Sequence, residues 1–257
     1  MKKGLFLLLA LFALTLGAKE RMIYVARHCQ ATGKGQDIIM PVDGDAGITQ
    51  LGVKQSQLLG KRLKELKFSG KIFASPFFRT VATASYAASQ CGSKVYPDAR
   101  VQERVHRDGG NMKKGGATLE QLKKLFPDQI AADAKLPYPW LYTKEEPKKT
   151  TAHRERMAKA LDEILAENPD GDIMIVSHAG AVGVLAAEMS KRTGTRVSGM
   201  TWNCALFKYA VDEQGKFRFV GYETGFLPPE AITSNMRKPG DKKKIRSGED
   251  IPFKPEK

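Results

Sequence analysis

The sequence predicts an α/β protein: a three-layer sandwich whose mostly parallel sheet carries helices on both faces. Three features lead there. Short apolar runs recur along the chain, they read as buried strands, and stretches with leucines at helical spacing separate them. Size and composition agree. At 257 residues, with 42% hydrophobic, 27% charged and 8% aromatic side chains, the chain can bury a sizeable core and lacks the profile of a disordered or fibrous protein.

At the start, Lys2 and Lys3 precede an apolar run from Leu5 to Leu16 and the small residues Gly17 and Ala18, the three-part plan of a secretory signal. A spanning helix needs about 20 apolar residues, so a cleaved leader over residues 1–18 is expected, with no transmembrane anchor afterwards and a periplasmic or secreted product. The charge stays high without it. Lys+Arg number 42 against 28 Asp+Glu, a net +14 to which the leader contributes only two lysines, so the folded part itself is basic and anionic partners are expected. The cysteines Cys29, Cys91 and Cys204 are odd in number, which excludes a disulfide scaffold. Either a Cys91–Cys204 bridge or three thiols fits the spacing.

Strands are expected at Met22 to Ala26, Lys71 to Ser75, Ile173 to Ser177, Ala205 to Ala210 and, more weakly, Phe217 to Val220. Leu51, Leu58, Leu59, Leu63 and Leu66 mark a helix that Thr49 can cap. A Thr- and Ala-rich helix follows Arg79. Met157, Leu161, Ile164 and Leu165 mark another, begun near Thr150 or Thr151 and ended by Asn168, Pro169, Asp170 and Gly171. The Pro- and aromatic-bearing stretch from Pro127 to Lys149 reads as an excursion over the sheet, either a lid or a packed surface loop. Residues 19–227 then form one folded unit. From Pro228 to Lys257 the Pro- and Lys-rich sequence, with Lys242, Lys243 and Lys244, reads as a poorly ordered tail.

Two of the four histidines stand where such a sheet places reacting groups, beyond the carboxyl ends of strands. The first strand runs into Arg27, His28 and Cys29, and the Ile173 strand runs into Ser177, His178 and Ala179. The second strand ends in Ser75, Pro76, Phe77, Phe78 and Arg79. Arg27, His28, Arg79 and His178 therefore converge on one rim. Two guanidiniums and two imidazoles suit a tetrahedral dianion, because arginine forks pair oxygens bidentately and stay charged at any working pH. Phosphate is the natural occupant. Flanking arginines disfavour a proton on His28, leaving a ring nitrogen free to attack phosphorus, and the departing alkoxide then needs a carboxylic acid. Glu103 is the first candidate for that acid, with Asp108 and Glu120 close by in sequence.

These residues give the stretch from Arg27 to Asn203 a resemblance to the histidine phosphatase superfamily, with its phosphoglycerate-mutase-like fold. The Arg-His-Gly signature appears as Arg27, His28, Cys29, and the Leu-Thr-x-x-Gly helix start is similar to Ile48, Thr49, Gln50, Leu51, Gly52. Ser75, Pro76, Arg79, Thr83 and Ala84 match a Ser-Pro-x-x-Arg-x-x-x-Thr-Ala pattern, His178 matches the second histidine, and Asn203 falls before the last core strands. The resemblance implies His28 as the phosphorylated nucleophile, Arg27, Arg79 and His178 as the phosphate pocket, and Glu103 as the proton donor. Departures are Cys29 for the signature glycine, Gln30 and Ala31 displacing the usual Glu-Thr so that Thr32 lies one residue late, and Ala179 after the second histidine. Ala179 stands where the acid-phosphatase and phytase branch has an Asp donor, which favours the branch with a Glu donor.

Other chemistries fall away. A cysteine phosphatase needs Cys, five residues and then Arg, but that count from Cys29 lands on Gly35; Gly33, Lys34 and Gly35 make no Walker loop; Ser177 lacks the glycines of a serine-hydrolase elbow. No RNA-binding signature accompanies the basic charge, and nucleic acid is not an expected partner. His106 and His153 carry no motif and read as surface or helix residues, and no metal or cofactor is expected. The expectation is an exported, metal-independent phosphomonoesterase acting on an anionic phosphorylated small molecule or envelope sugar. A phosphomutase and a non-catalytic phospho-ligand binder are the alternatives.

Overall fold

The computed structural model describes residues 20–31, 38–39, 45–104, 117–136, 150–197 and 199–233. In chain order the elements are β1 (Arg21–Arg27), the short pair β2 (Ile38–Ile39) and β3 (Ile48–Thr49), α1 (Gln50–Glu65), β4 (Gly70–Ala74), α2 (Phe78–Cys91), β5 (Lys94–Pro97), α3 (Leu119–Leu125), α4 (Thr150–Glu167), β6 (Asp172–Ser177), α5 (Ala179–Thr193), β7 (Leu206–Val211) and β8 (Phe217–Glu223). Single 3-10 turns lie at Ala99–Val101 and Pro229–Ala231.

Six strands make the central sheet in the order β5-β4-β6-β1-β7-β8. β5, β4, β6 and β1 run parallel, whereas β7 is antiparallel to both β1 and β8. The sheet is mostly parallel, as expected. Helices lie on the crossovers between the parallel strands, but β7 and β8 are linked by a tight turn, closed by Asp212 and Lys216, in which Gly215 adopts φ +76°.

Strand residues alternate between two cores. Tyr24, Ala26, Ile72, Ala74, Met174 and Val176 meet α1, α2 and α3 on one face, while Ile23, Val25, Phe73, Ile173 and Ile175 meet α4 and α5 on the other. This is the three-layer sandwich. Thr49 caps α1 by accepting from Gly52 N at 3.0 Å. The buried face of α1 is not the leucine stripe alone: Gly52, Gln55, Ser56 and Gly60 share it with Leu59 and Leu63. The helices touch closely there, since a Cβ on residue 60 would stand 2.2 Å from Ala87 O of the Ala-rich α2.

Lys208 interrupts the apolar run of β7 yet is buried, which is tolerable because Glu223 Oε2 pairs with it at 2.6 Å while Glu223 Oε1 meets Arg62 at 2.7 Å. β5 was not anticipated: it is short, half-exposed and ends in Pro97, so its pattern carries little signal. The tail boundary expected at Pro228 falls too early. Ala231, Ile232 and Thr233 are buried, and Thr233 bonds both Gln55 and Asn203, so the chain through Thr233 belongs to the folded unit. The expected leader (1–18), most of the Pro127–Lys149 stretch and the chain from Ser234 onward lie outside the described residues.

Among the described residues no helix is long and apolar enough to cross a membrane. Cys29, Cys91 and Cys204 are all thiols, so the Cys91–Cys204 bridge is not formed. Burial pushes the Cys29 and Cys204 thiols above their ordinary range.

Candidate active site

Sheet register brings the two histidines together. β1 and β6 are parallel neighbours with Arg27 opposite Ser177, and His28 N donates to Ser177 O at 2.8 Å, so the residues that follow leave the sheet side by side. Their rings lie 5.2 Å apart at 64°. Arg79, in the first turn of α2 beyond the end of β4, reaches the same point, and its Nη2 lies 3.1 Å from His178 Nδ1.

Partners that only donate or only accept fix both tautomers. The Cys29 carbonyl, 2.7 Å from His28 Nδ1, can only accept, so Nδ1 carries the proton and Nε2 presents a lone pair. Arg79 can only donate, so His178 Nδ1 accepts and its Nε2–H donates to Ser75 Oγ at 2.8 Å. Both rings are held well below the ordinary histidine range. For His28 the causes are burial and then the Arg27 and Arg79 guanidiniums; for His178 they are burial, Arg79, His28 and Arg27, with Arg156 contributing last. Two neutral imidazoles therefore face cations.

Each motif residue has a physical task. Thr83 Oγ1 accepts from Cys29 N at 2.9 Å and donates to Arg79 O, tying the loop after His28 to α2. Gln55 Oε1 accepts from Gln30 N at 2.7 Å, and Gln30 O accepts from Thr49 N at 3.1 Å, so α1 grips the same loop. The contact leaves room only for glycine at 52, where a Cβ would stand 2.3 Å from Gln30 O. Cys29, in place of the family glycine, is accommodated fully buried in this packing. Asn203 Nδ2 donates to His28 O at 2.8 Å, and Arg27 Nη1 donates to Thr201 O at 3.0 Å.

Glu103 stands on the same rim by a different route. Its segment leaves the sheet through the 3-10 turn after β5, and its carboxylate accepts from Gly180 N (Oε2) and Arg104 N (Oε1), both at 2.9 Å. Gly180 lies in the first turn of α5, two positions past His178, so the carboxyl group sits beside the second histidine. Glu120 is exposed in the first turn of α3, and Asp108 lies outside the described residues. Of the histidines without motif, His153 is on α4 as expected but buried rather than at the surface; His106 lies outside the described residues. Among the described residues no group of three His, Cys, Asp or Glu side chains is placed to hold a metal ion.

Sequence reasoning missed Asp45, Phe77 and Gly180. The Asp45 carboxylate pairs with Arg79 at 3.2 Å and also accepts from Phe78 N, holding the guanidinium against α2. Phe77 lies under Arg79, its ring 4.6 Å from the guanidinium carbon, and meets His178 edge to face at 4.9 Å. Gly180 is needed for room: a Cβ there would stand 2.4 Å from Glu103 Oε1. None of these carries a local pattern.

A family model for the histidine phosphatase superfamily (branch 1) matches residues 23–223, which covers β1 through β8. The chain belongs to the histidine phosphatase superfamily. A curated superfamily relative, the probable phosphoglycerate mutase GpmB of Erwinia tasmaniensis, is 28% identical over 171 residues, covering 64% of this chain and 73% of that protein. Among solved structures, the ecdysone phosphate phosphatase of Bombix mori in complex with tungstate aligns with a TM-score of 0.56 at 17% identity, over 84% of this chain and 97% of that one. Bacillus stearothermophilus YhfR aligns with a TM-score of 0.52 at 19% identity, over 84% of this chain and 100% of its own. Identities this low establish the shared phosphoglycerate-mutase-like fold.

Proposed function

We propose that this histidine phosphatase superfamily member is an exported phosphomonoesterase that works through a phosphohistidine at His28, without a metal. One observation carries the proposal: the Cys29 carbonyl holds the Nδ1 proton, so His28 Nε2 keeps a lone pair inside a pocket of cations. That lone pair attacks phosphorus in line. A P–N bond forms, the ester P–O bond breaks, and the leaving oxygen takes a proton from the carboxylic acid form of Glu103. Water then attacks the phosphohistidine, gives a proton back to Glu103 and releases phosphate, restoring His28.

Arg27 and Arg79 balance the charge on the equatorial oxygens. His178 accepts from Arg79, but a bound dianion offsets the cations that keep the ring neutral. Nδ1 then gains a proton and donates to a phosphoryl oxygen. Binding of orthovanadate should therefore take up a proton near neutral pH, read as buffer-dependent heat in calorimetry; buffer-independent heat removes this role from His178.

The net charge of +14 supports an anionic substrate, and together with export it favours phosphosugars of the cell envelope over small soluble esters. Removing residues 234–257 should lower that preference. Equal rates on both classes would remove its basis. The mutase relative supports a second reading, transfer of the phosphoryl group to another hydroxyl.

Turnover of a phosphorus-labelled aryl phosphate, quenched in alkaline denaturant that preserves a phosphoramidate, tests the reaction itself. Label is expected on His28 and free phosphate in solution, and His28→Ala should lower turnover by roughly 10⁴-fold or more. Unchanged turnover in His28→Ala overturns the proposal; label moved to an added acceptor alcohol in place of water assigns the mutase.

A further inference from the structure

We infer that Arg156 is a positioning residue for the Glu103 carboxylate: reaching from α4, its guanidinium holds the backbone that carries the proton donor. The inference rests on the phosphohistidine reading above and deepens it.

The segment Arg100–Glu103 runs from within the 3-10 turn out onto the rim without a strand partner, so its carbonyls need hydrogen-bond donors from elsewhere. Side chains supply it. Arg156 Nη1 donates to Arg100 O at 2.7 Å and to Gln102 O at 3.0 Å, and Nη2 donates to Glu103 O at 3.2 Å. The remaining carbonyl, Val101 O, accepts from Ser177 Oγ, the residue just before His178. All four consecutive carbonyls are thus held by side chains of α4 or β6.

The attachment to α4 is reciprocal. Arg100 turns back to Glu163 at 3.1 Å and Glu167 at 2.7 Å on that helix, and to Asp98 at 2.7 Å. Beyond the backbone, the Glu103 carboxylate is gripped at its tip by Gly180 N and Arg104 N. Arg156 therefore fixes the base of a side chain whose tip is fixed by α5. A planar fork serves three diverging acceptors, which a lysine ammonium on one stem does less well. Misplacing a proton donor by about 1 Å costs on the order of 10²-fold in rate, so loosening this backbone should be felt in the step that Glu103 serves.

That step has its own signature. Protonating the leaving group matters for an alkyl phosphate and hardly at all for 2,4-dinitrophenyl phosphate, whose phenolate leaves unaided. The ratio of kcat/KM values for the two esters, which reports phosphorylation of His28, separates a positioning role from a general loss of folded protein. With the full chain, Glu103→Gln should lower kcat/KM for glycerol phosphate by about 10²-fold or more and leave the dinitrophenyl ester within about threefold. Arg156→Ala should follow the same pattern at about 10- to 10²-fold, and Arg156→Lys should recover part of the loss. The double variant should be no worse than Glu103→Gln alone. Equal losses on both esters in Arg156→Ala, or no loss, overturn the inference while Glu103→Gln still discriminates; if Arg156→Ala fails to fold, the same ratio in Arg156→Lys decides. If Glu103→Gln itself treats the esters alike, the donor assignment has failed and this inference falls with it.

Discussion

The histidine corner and the Glu103 carboxylate share one rim but are held in opposite ways. His28 and His178 are placed by the ladder between β1 and β6, a repeating backbone pattern that puts two strand ends side by side. Glu103 sits in a segment without repeating structure, and side chains from α4, β6 and the N-terminus of α5 substitute for a ladder. The lesson concerns robustness. Backbone register survives most side-chain changes, whereas a position built from side-chain hydrogen bonds is lost when one donor is removed or one glycine gains a methyl group.

Gly180→Ala is the sharpest way to break the two apart. Its Cβ would stand 2.4 Å from Glu103 Oε1, so the carboxylate must move while the histidine corner keeps its sheet register. We expect kcat/KM for an alkyl phosphate to fall by about 10²-fold with vanadate affinity nearly unchanged. A parallel fall in vanadate affinity would show that the two halves are not separable.

Gln55→Ala attacks the other side. Gln55 is fully buried and bonds Gln30 N, Ala231 O and Thr233 Oγ1, so truncation strands buried polar groups beneath the His28 loop. A loss of about 1–3 kcal/mol is expected in denaturant melts, with the alkyl-to-dinitrophenyl ratio unchanged. A change in that ratio would couple the loop to Glu103.

Acid titration should single out the corner. An unfolded histidine protonates near pH 6.5, while folded His28 and His178 resist protonation to well below that value, so the unfolded chain binds more protons as pH falls. Stability from these rings is complete above about pH 6.5 and should drain away below it by up to about 1.4 kcal/mol per pH unit for each ring. His28→Ala should flatten the slope between pH 6.5 and 5. An unaltered slope would mean that the ring is protonated in the folded protein.

Much of this fold was legible because its cues are local. The apolar runs of β1, β4, β6, β7 and β8 and the cap at Thr49 come from neighbouring residues, and so do Arg27, His28, Arg79 and His178, since each follows a strand it can be counted from. β5 escaped because a short edge strand ending in Pro97 has no distinctive period. Thr233 was assigned to the tail because proline-rich composition hides a hydrogen bond to Gln55, 178 positions away. Glu103 could be nominated from sequence but not placed, and Asp45, Phe77, Gly180 and Arg156 could not be nominated at all.

What the sequence determined by itself is the sheet with its helices, the strand-end histidines and the family they mark, because hydrophobic periodicity and short motifs act over a few residues. What only the tertiary structure decided is the tautomer of each ring, the room at Gly180 and the grip of Arg156 on three carbonyls. Those depend on distances between segments far apart in the chain, set by packing, to which no run of adjacent residues gives access.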